Sequence, residues 1–240
     1  MTDIEYYPIE LFHWCGMKDE NLNMVIDILE TCPQYVHETN APRDNCLLIA
    51  TKSGNIEMVK YIIANTDINI NHENNEGKTA LAIAVESANM DLINCYLNHK
   101  NINIYSVNKK GENVYHVAAK TGNADVIEKL LTMDEKRNIA KKDSDGRHCL
   151  FSLIANYSTH QDYWCFEIIQ EAMTNEELWQ KDMNGIDILH FTKQYEKSAF
   201  VPRIYTPLIH ILNSRTLYSN LNESLPTNED SQKGSGKIKL

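Results

Sequence analysis

The side chains best suited to chemistry in this chain are its histidines and cysteines. His13, His116 and His190 carry imidazoles that titrate near neutral pH and could act as general bases. His148 stands beside Cys149, the two residue types of an activated thiol nucleophile. A working pair must aim both groups at one reacting atom, and adjacent residues at a helix start point in different directions. The adjacency therefore argues against a pair. The chain has no HExxH, no phosphate-cradling P-loop and no GxSxG elbow. Its GSGK at 234–237 lacks the strand before and the helix after that a phosphate loop needs. The six cysteines show no CxxC spacing, which fits neither a disulfide framework nor a zinc site. No glycine-rich or basic setting favours a thiolate, so they are read as small core residues. No cofactor or metal site follows from these residues.

The elements that must position these side chains repeat. In KGENVYHVAAKTGNADVIEKLL, Lys110 to Leu131, a glycine turn leads into a short helix, a second glycine turn and a longer helix. Moved back 34 residues, Gly111 falls on Gly77, Ala118 on Ala84, Asp125 on Asp91 and Leu131 on Leu97; Gly122 falls on Ala88 and then on Gly54. His13, His116 and His190 share one repeat position. Cys15 shares that of Ala84 and Ala118, and Cys46 and Cys149 that of Ala80. Three residues before each turn position stand Asn40, Asn74, Asn108, Asp143 and Asp182, side chains that fix tight turns. Seven residues before it stand Val36, Ile70, Ile104, Ile139 and Leu178, which pin the arm between hairpins. A hairpin of this size cannot bury its apolar face alone, so this period means a stack.

The units run approximately 8–38, 41–72, 73–106, 107–141, 142–180 and 181–215. The first has large residues, Phe12, His13 and Trp14, and no glycine turn, as an end cap with one neighbour requires. Gly146 to Gly185 spans 39 residues because the fifth unit holds an extra loop, Tyr157–Asp162, before a second helix at Tyr163–Met173. In the sixth, Pro202 and Pro207 break the inter-helix turn, leaving Pro207–Arg215 as a capping helix. After Tyr218 the apolar pattern fails, and residues 219–240 read as a disordered tail.

Together the period, NEGKTALAIA, KKGENVYHVAAKTGNADVIEKLL and the Asn/Asp turn positions resemble the ankyrin repeat family over roughly residues 8–195. The resemblance implies an all-α ankyrin-repeat solenoid of about six helical hairpins, with short β-hairpin-like fingers and degenerate end caps. It also implies that the shared histidine position bonds the neighbouring hairpin, and that fingers and first helices line a concave face that binds another protein. The positions that the family varies on that face are, in this chain, Lys52, Asn75, Glu76, Lys78, Glu86, Lys109, Lys110, Glu112, Lys120, Ser144, Asp145, Arg147, Met183 and Asn184. Lys109, Lys110, Lys120 and Arg147 would be neighbours there, a basic cluster fitting an acidic partner segment. The rival reading is an enzyme or enzyme inhibitor acting through Tyr157–Asp162 and the C-terminal region, which predicts a deep pocket near Tyr163, Trp164 and Tyr195.

Composition narrows the partners. A net charge of -10 and a pI near 5.4 argue against nucleic acid or an anionic membrane surface, which attract clustered positive charge. No run approaches the roughly 18 apolar residues of a membrane span. Expectation therefore falls on a cytoplasmic monomer. The tail, with Glu223, Glu229, Asp230 and Ile238, is similar to the C-terminal signals of bacterial type IV secretion substrates. Many such effectors carry ankyrin repeats, which would place the chain in the host cytoplasm against a eukaryotic protein.

Overall fold

Asn45, Thr79 and Asn113 stand 34 residues apart, and each opens a helix with its side chain. Their oxygens accept hydrogen bonds from the N–H groups of Leu48 (3.0 Å), Ala82 (3.3 Å) and His116 (3.2 Å), donors that a helix start otherwise leaves unpaired. Ten residues further on, Asn55, Asn89 and Asn123 do the same for Met58 (3.0 Å), Leu92 (3.2 Å) and Val126 (3.2 Å). The chain thus folds into paired helices in the computed structural model, which describes residues 6–17, 22–135, 138–156, 161–194 and 206–211. The pairs are α1 (Tyr6–Gly16) with α2 (Leu22–Thr31), α3 (Cys46–Ser53) with α4 (Ile56–Asn65), and α5 (Ala80–Glu86) with α6 (Met90–Leu97). Next come α7 (Val114–Thr121) with α8 (Ala124–Met133), and α9 (Cys149–Asn156) with α10 (Gln161–Ala172). A short α11 (Asn175–Leu178) precedes α12 (Ile188–Gln194), and a further helical turn covers 206–211.

Helices of seven to twelve residues are marginal alone, so stacking must hold them. The first helices α1, α3, α5, α7, α9 and α12 pack on one another in chain order. Leu47, Leu81, Tyr115 and Leu150 on this inner row are fully buried, as are Met58, Ile62, Leu92, Tyr96, Val126, Leu130, Phe166 and Ile169 on the outer row. Each such side chain contributes about 1.5–3 kcal/mol relative to exposure. One polar contact crosses this core: the Thr51 and Tyr96 hydroxyls share a hydrogen bond, and Thr51 also donates to the Leu47 carbonyl (2.6 Å).

Between the hairpins the chain makes fingers. The side-chain oxygen of Asn74 accepts from the amides of Glu76 (2.9 Å) and Lys78 (3.1 Å), and Asn108, Asp143 and Asp182 repeat the motif one finger at a time. These turns carry positive φ at Gly77, Gly111, Gly146 and Gly185, and at Arg43 in the first finger (φ 61). One backbone hydrogen bond ties each finger to the previous one: Asn75 N–H to Pro42 O, Lys109 to Glu76, Ser144 to Lys110 and Met183 to Asp145, all 2.8–2.9 Å. Fixed turns linked in this way present their tips in a row.

The hairpin-like fingers are present as tight turns, each closed across its own base by a bond such as Asn74 N–H to the Lys78 carbonyl (3.2 Å), with no strand among the described residues. One expectation needs correction. Asp162 belongs to the first turn of α10, so the second helix of the fifth unit starts at Gln161 and not at Tyr163. The capping helix is described only at 206–211, and Tyr157, the rest of the expected loop to 160, Tyr195 and the tail 219–240 lie outside the described residues.

Candidate functional site

The residues at the base of the fingers and at the ends of the inner helices form ion pairs eight residues apart. Asp44 holds Lys52 (2.5 Å), Lys78 holds Glu86 (2.9 Å), and Glu112 holds Lys120. The three pairs are separated by 34 residues, and their polarity reverses from one unit to the next. Lys78 also reaches Glu76 (3.1 Å). Partial burial would lower the Lys78 ammonium pKa, but the Glu86 and Glu76 carboxylates hold it above its ordinary value. Partial burial likewise would raise the Glu112 carboxyl, yet hydrogen bonds from Lys120 and Asn108 hold it below the usual range. The floor of the concave face is therefore largely self-neutralised.

Between the second and third fingers and the ends of α5 and α7 lies a cleft of ≈ 450 Å³. It gathers Asn75, Glu76, Lys78, Glu86, Lys109, Lys110, Glu112 and Lys120, eight of the fourteen residues expected on the binding face. Asn108, Val117 and Thr121 complete its wall. Asn108 escaped the sequence argument because it was assigned to the turn, and Val117 because it was counted as helix interior. Lys109 and Lys110 are exposed and form no ion pair with a described residue, unlike Lys78 and Lys120. Two cations without an ion pair to a described residue thus stand on one finger tip above a floor of closed pairs, Lys110 acting on Glu112 only at longer range.

The remaining expected residues lie elsewhere. Lys52 is held by Asp44, a carboxylate that also accepts from the Asn74 amide (2.9 Å). Ser144, Asp145, Met183 and Asn184 occupy the next two finger tips, all exposed, with Met183 74% accessible. Arg147 does not join the lysine cluster. Its Nε and Nη2 donate to one buried Asp182 oxygen (3.1 and 3.0 Å), and its guanidinium lies 5.0 Å from the Phe191 ring centre. Burial would raise the Asp182 pKa, but the Ile186 and Asn184 amides and Arg147 hold it down. This pairing across 35 residues takes Arg147 out of the basic cluster.

The candidate chemical groups are engaged structurally. His116 is fully buried; its Nε2 lies 2.9 Å from the Arg147 carbonyl of the next finger and its Nδ1 2.7 Å from Asn113 Oδ1. The expected bridge to the neighbouring hairpin holds there and fails at the two ends. His190 is exposed and bonds Asp187 on its own helix (2.8 Å), while His13 is exposed and edge-on to Trp14. The carbonyl that His116 reaches belongs to the following finger, and no such finger follows His190 among the described residues; His13 turns outward although the 40–44 finger follows it. Burial pushes the Cys149 thiol up to about 12 and pulls His148 down to about 4. Cys149 directs its Sγ to the Ile139 carbonyl (3.4 Å) and His148 its Nε2 to Leu178 (3.3 Å), so they do not form a nucleophile and base. Of the residues expected near a deep pocket, Tyr163, Trp164 and Tyr195, Trp164 lies 64% exposed on α10 and Tyr195 is outside the described residues, while two clefts of ≈ 530 and ≈ 450 Å³ lie among the fingers.

Known proteins place this geometry. Residues 12–106 match the family model for ankyrin repeats in three copies. No curated protein matches the chain. An ankyrin repeat domain from Acinetobacter baumannii superposes with a TM-score of 0.70 at 16% identity, covering 83% of this chain and 96% of its own. A chain from the complex of a Bdellovibrio bacteriovorus predatory endopeptidase with its immunity protein gives 0.68 at 20% identity, covering 82% and 96%. At these identities the likeness concerns the fold. The finger turns, the helix caps repeating every 34 residues and the matched segment agree: residues 12–106 carry ankyrin repeats, and the fold is that of an ankyrin-repeat solenoid.

Proposed function

We propose that the chain is a protein-interaction module whose cleft between the second and third fingers receives an acidic segment of a partner protein. The observation that carries this reading is the pair Lys109 and Lys110. They are exposed cations without an ion pair to a described residue, on a face whose other lysines are closed by carboxylates. A partner carboxylate arriving there replaces no existing pair, whereas one arriving at Lys78 or Lys120 must compete with Glu86 or Glu112. Charges at such a rim act through encounter rate and orientation more than through burial. The neighbour drawn from an endopeptidase–immunity protein complex is consistent with a fold used between proteins.

Affinity capture with the wild-type chain and with Lys109→Glu/Lys110→Glu tests the reading. The variant is expected to lose most of the captured protein while keeping its melting temperature, because exposed charges add only about 0–1 kcal/mol to folding. The wild-type interaction should also weaken as salt is raised. Unchanged capture by the variant overturns the assignment of the cleft. Delivery into a host cell is a further part of the proposal and rests on residues 219–240 alone. A translocation reporter on the full chain and on a truncation after Tyr218 decides it, equal delivery of both counting against it.

A further inference from the structure

The inner helices open by a common rule, and α9 departs from it. Asn45, Thr79, Asn113 and Asp187 each accept a hydrogen bond from an N–H three residues on. At the equivalent place before α9 stands His148, fully buried, and its ring Nδ1 has no hydrogen-bond partner. The Phe151 amide bonds the His148 backbone carbonyl instead (3.0 Å). His148 Nε2 lies 3.3 Å from the Leu178 carbonyl, so the neutral ring carries its proton on that nitrogen. In the preceding unit the same link is made by an amide, Asn113 Nδ2 to Asn138 O at 2.7 Å. A titratable ring has taken the place of an amide at the contact between the fifth and sixth units.

We propose that His148 is a pH-sensitive joint: a proton taken from solvent at Nδ1 puts a charged N–H where no acceptor stands, and α11, α12 and their finger separate from α9. The groups around the ring do not relieve that charge. His116 on α7 and Lys142 on the arm oppose it, and Glu177 on α11 favours it but already accepts from the Thr174 amide (2.6 Å). On the finger the Arg147 guanidinium is turned to Asp182, which is committed to it and to two amides. Cys149 beside it, neutral, sends its Sγ to Ile139. The contrast with His116 is direct, because that ring's Nδ1 accepts from the Asn113 amide (3.3 Å) and has Asn113 Oδ1 beside it to receive a proton, while its Nε2 meets Arg147 O. Burial, the largest influence on His148, pulls its pKa to about 4. A ring released to water titrates near 6.5. The contact is therefore intact at neutral pH and weakens as pH falls below 6.5, and opening at pH 5 is favoured about 30-fold relative to pH 7.5.

Hydrogen exchange on the full chain at pH 7.5 and 5.0, corrected for the intrinsic pH dependence of exchange, tests the joint. The amides of α11 and α12 should lose protection about 30-fold at pH 5, those of α4 and α6 should not, and His148→Asn should abolish the difference. Asparagine fits because it fills the same place at Asn113. Equal loss in the variant, loss spread evenly along the stack, or no loss overturns the proposal. Should the variant not fold, NMR titration of the wild-type histidines decides. A His148 ring titrating near 6.5 refutes the joint, and a depressed titration with exchange confined to α11 and α12 supports it.

Discussion

Gly122→Ala probes whether the fifth hairpin sits where the structure places it. Gly122 closes the turn between α7 and α8 at φ 65, and a Cβ added there would collide with Asp162 Oδ1 and lie 3.2 Å from its Cγ. Asp162, in the first turn of α10, is 5% exposed and has little room to retreat. Two costs add: about 1–2 kcal/mol for an L-residue in the left-handed region, and about 1–3 kcal/mol for forcing the buried carboxylate and α10 outward. Gly54 supplies the control. It closes the turn between α3 and α4 at φ 76 with nothing within 4 Å of an added Cβ, so Gly54→Ala carries only the first cost. Urea unfolding followed by circular dichroism should place Gly122→Ala about 1–3 kcal/mol below Gly54→Ala, with the slopes unchanged. Two variants within about half a kcal/mol of each other would mean that α10 does not rest on the Gly122 turn, and the packing of the fifth unit would have to be redrawn.

Further outcomes follow from single contacts. Leu130→Ala removes a fully buried side chain of α8 and should cost about 2–5 kcal/mol in chemical denaturation. Arg147→Ala strips the charged donor from the buried Asp182, which keeps its two backbone amides, and should cost about 1.5–3 kcal/mol. Exchanging Lys78 and Glu86 for one another keeps the ion pair, so the melting temperature should stay within a degree or two, while a partner that reads the polarity of the cleft should bind less well. His148 and His116 both have folded pKa values below the ordinary imidazole value, so their contribution is complete above pH 6.5 and is lost as pH falls toward those values. His148 alone should lower stability by about 2 kcal/mol between pH 7.5 and 5, and a flat pH profile over that range would contradict it.

The sequence made the fold legible because the fold is local. Caps such as Asn89 and Asn123, turns such as Asn74 to Lys78 and core positions such as Leu97 are each fixed within one unit, and a 34-residue period repeats each signal until it stands out. The site was less legible because its energetics cross units. Lys120 looked available until the structure paired it with Glu112, although the eight-residue spacing repeated at Asp44–Lys52 and Lys78–Glu86 was present to be read. Arg147 met Asp182 only through the stacking of two fingers, and the insertion in the fifth unit had removed the period that would have aligned them. The match of Cys149 to Ala80 puts His148 at the helix-opening place of Thr79, but that its ring is buried with Nδ1 unpartnered was not legible, because it depends on packing between units.

The central claim is that partners dock in the cleft below Lys109 and Lys110. A photo-crosslinking amino acid placed at Lys110, and in a separate protein at Lys60 on the exposed face of α4, tests it directly. The account predicts a discrete protein adduct from position 110 that vanishes when Lys109 is changed to glutamate, and none from position 60. Adducts from position 60 alone, or an adduct at 110 indifferent to Lys109, would contradict it.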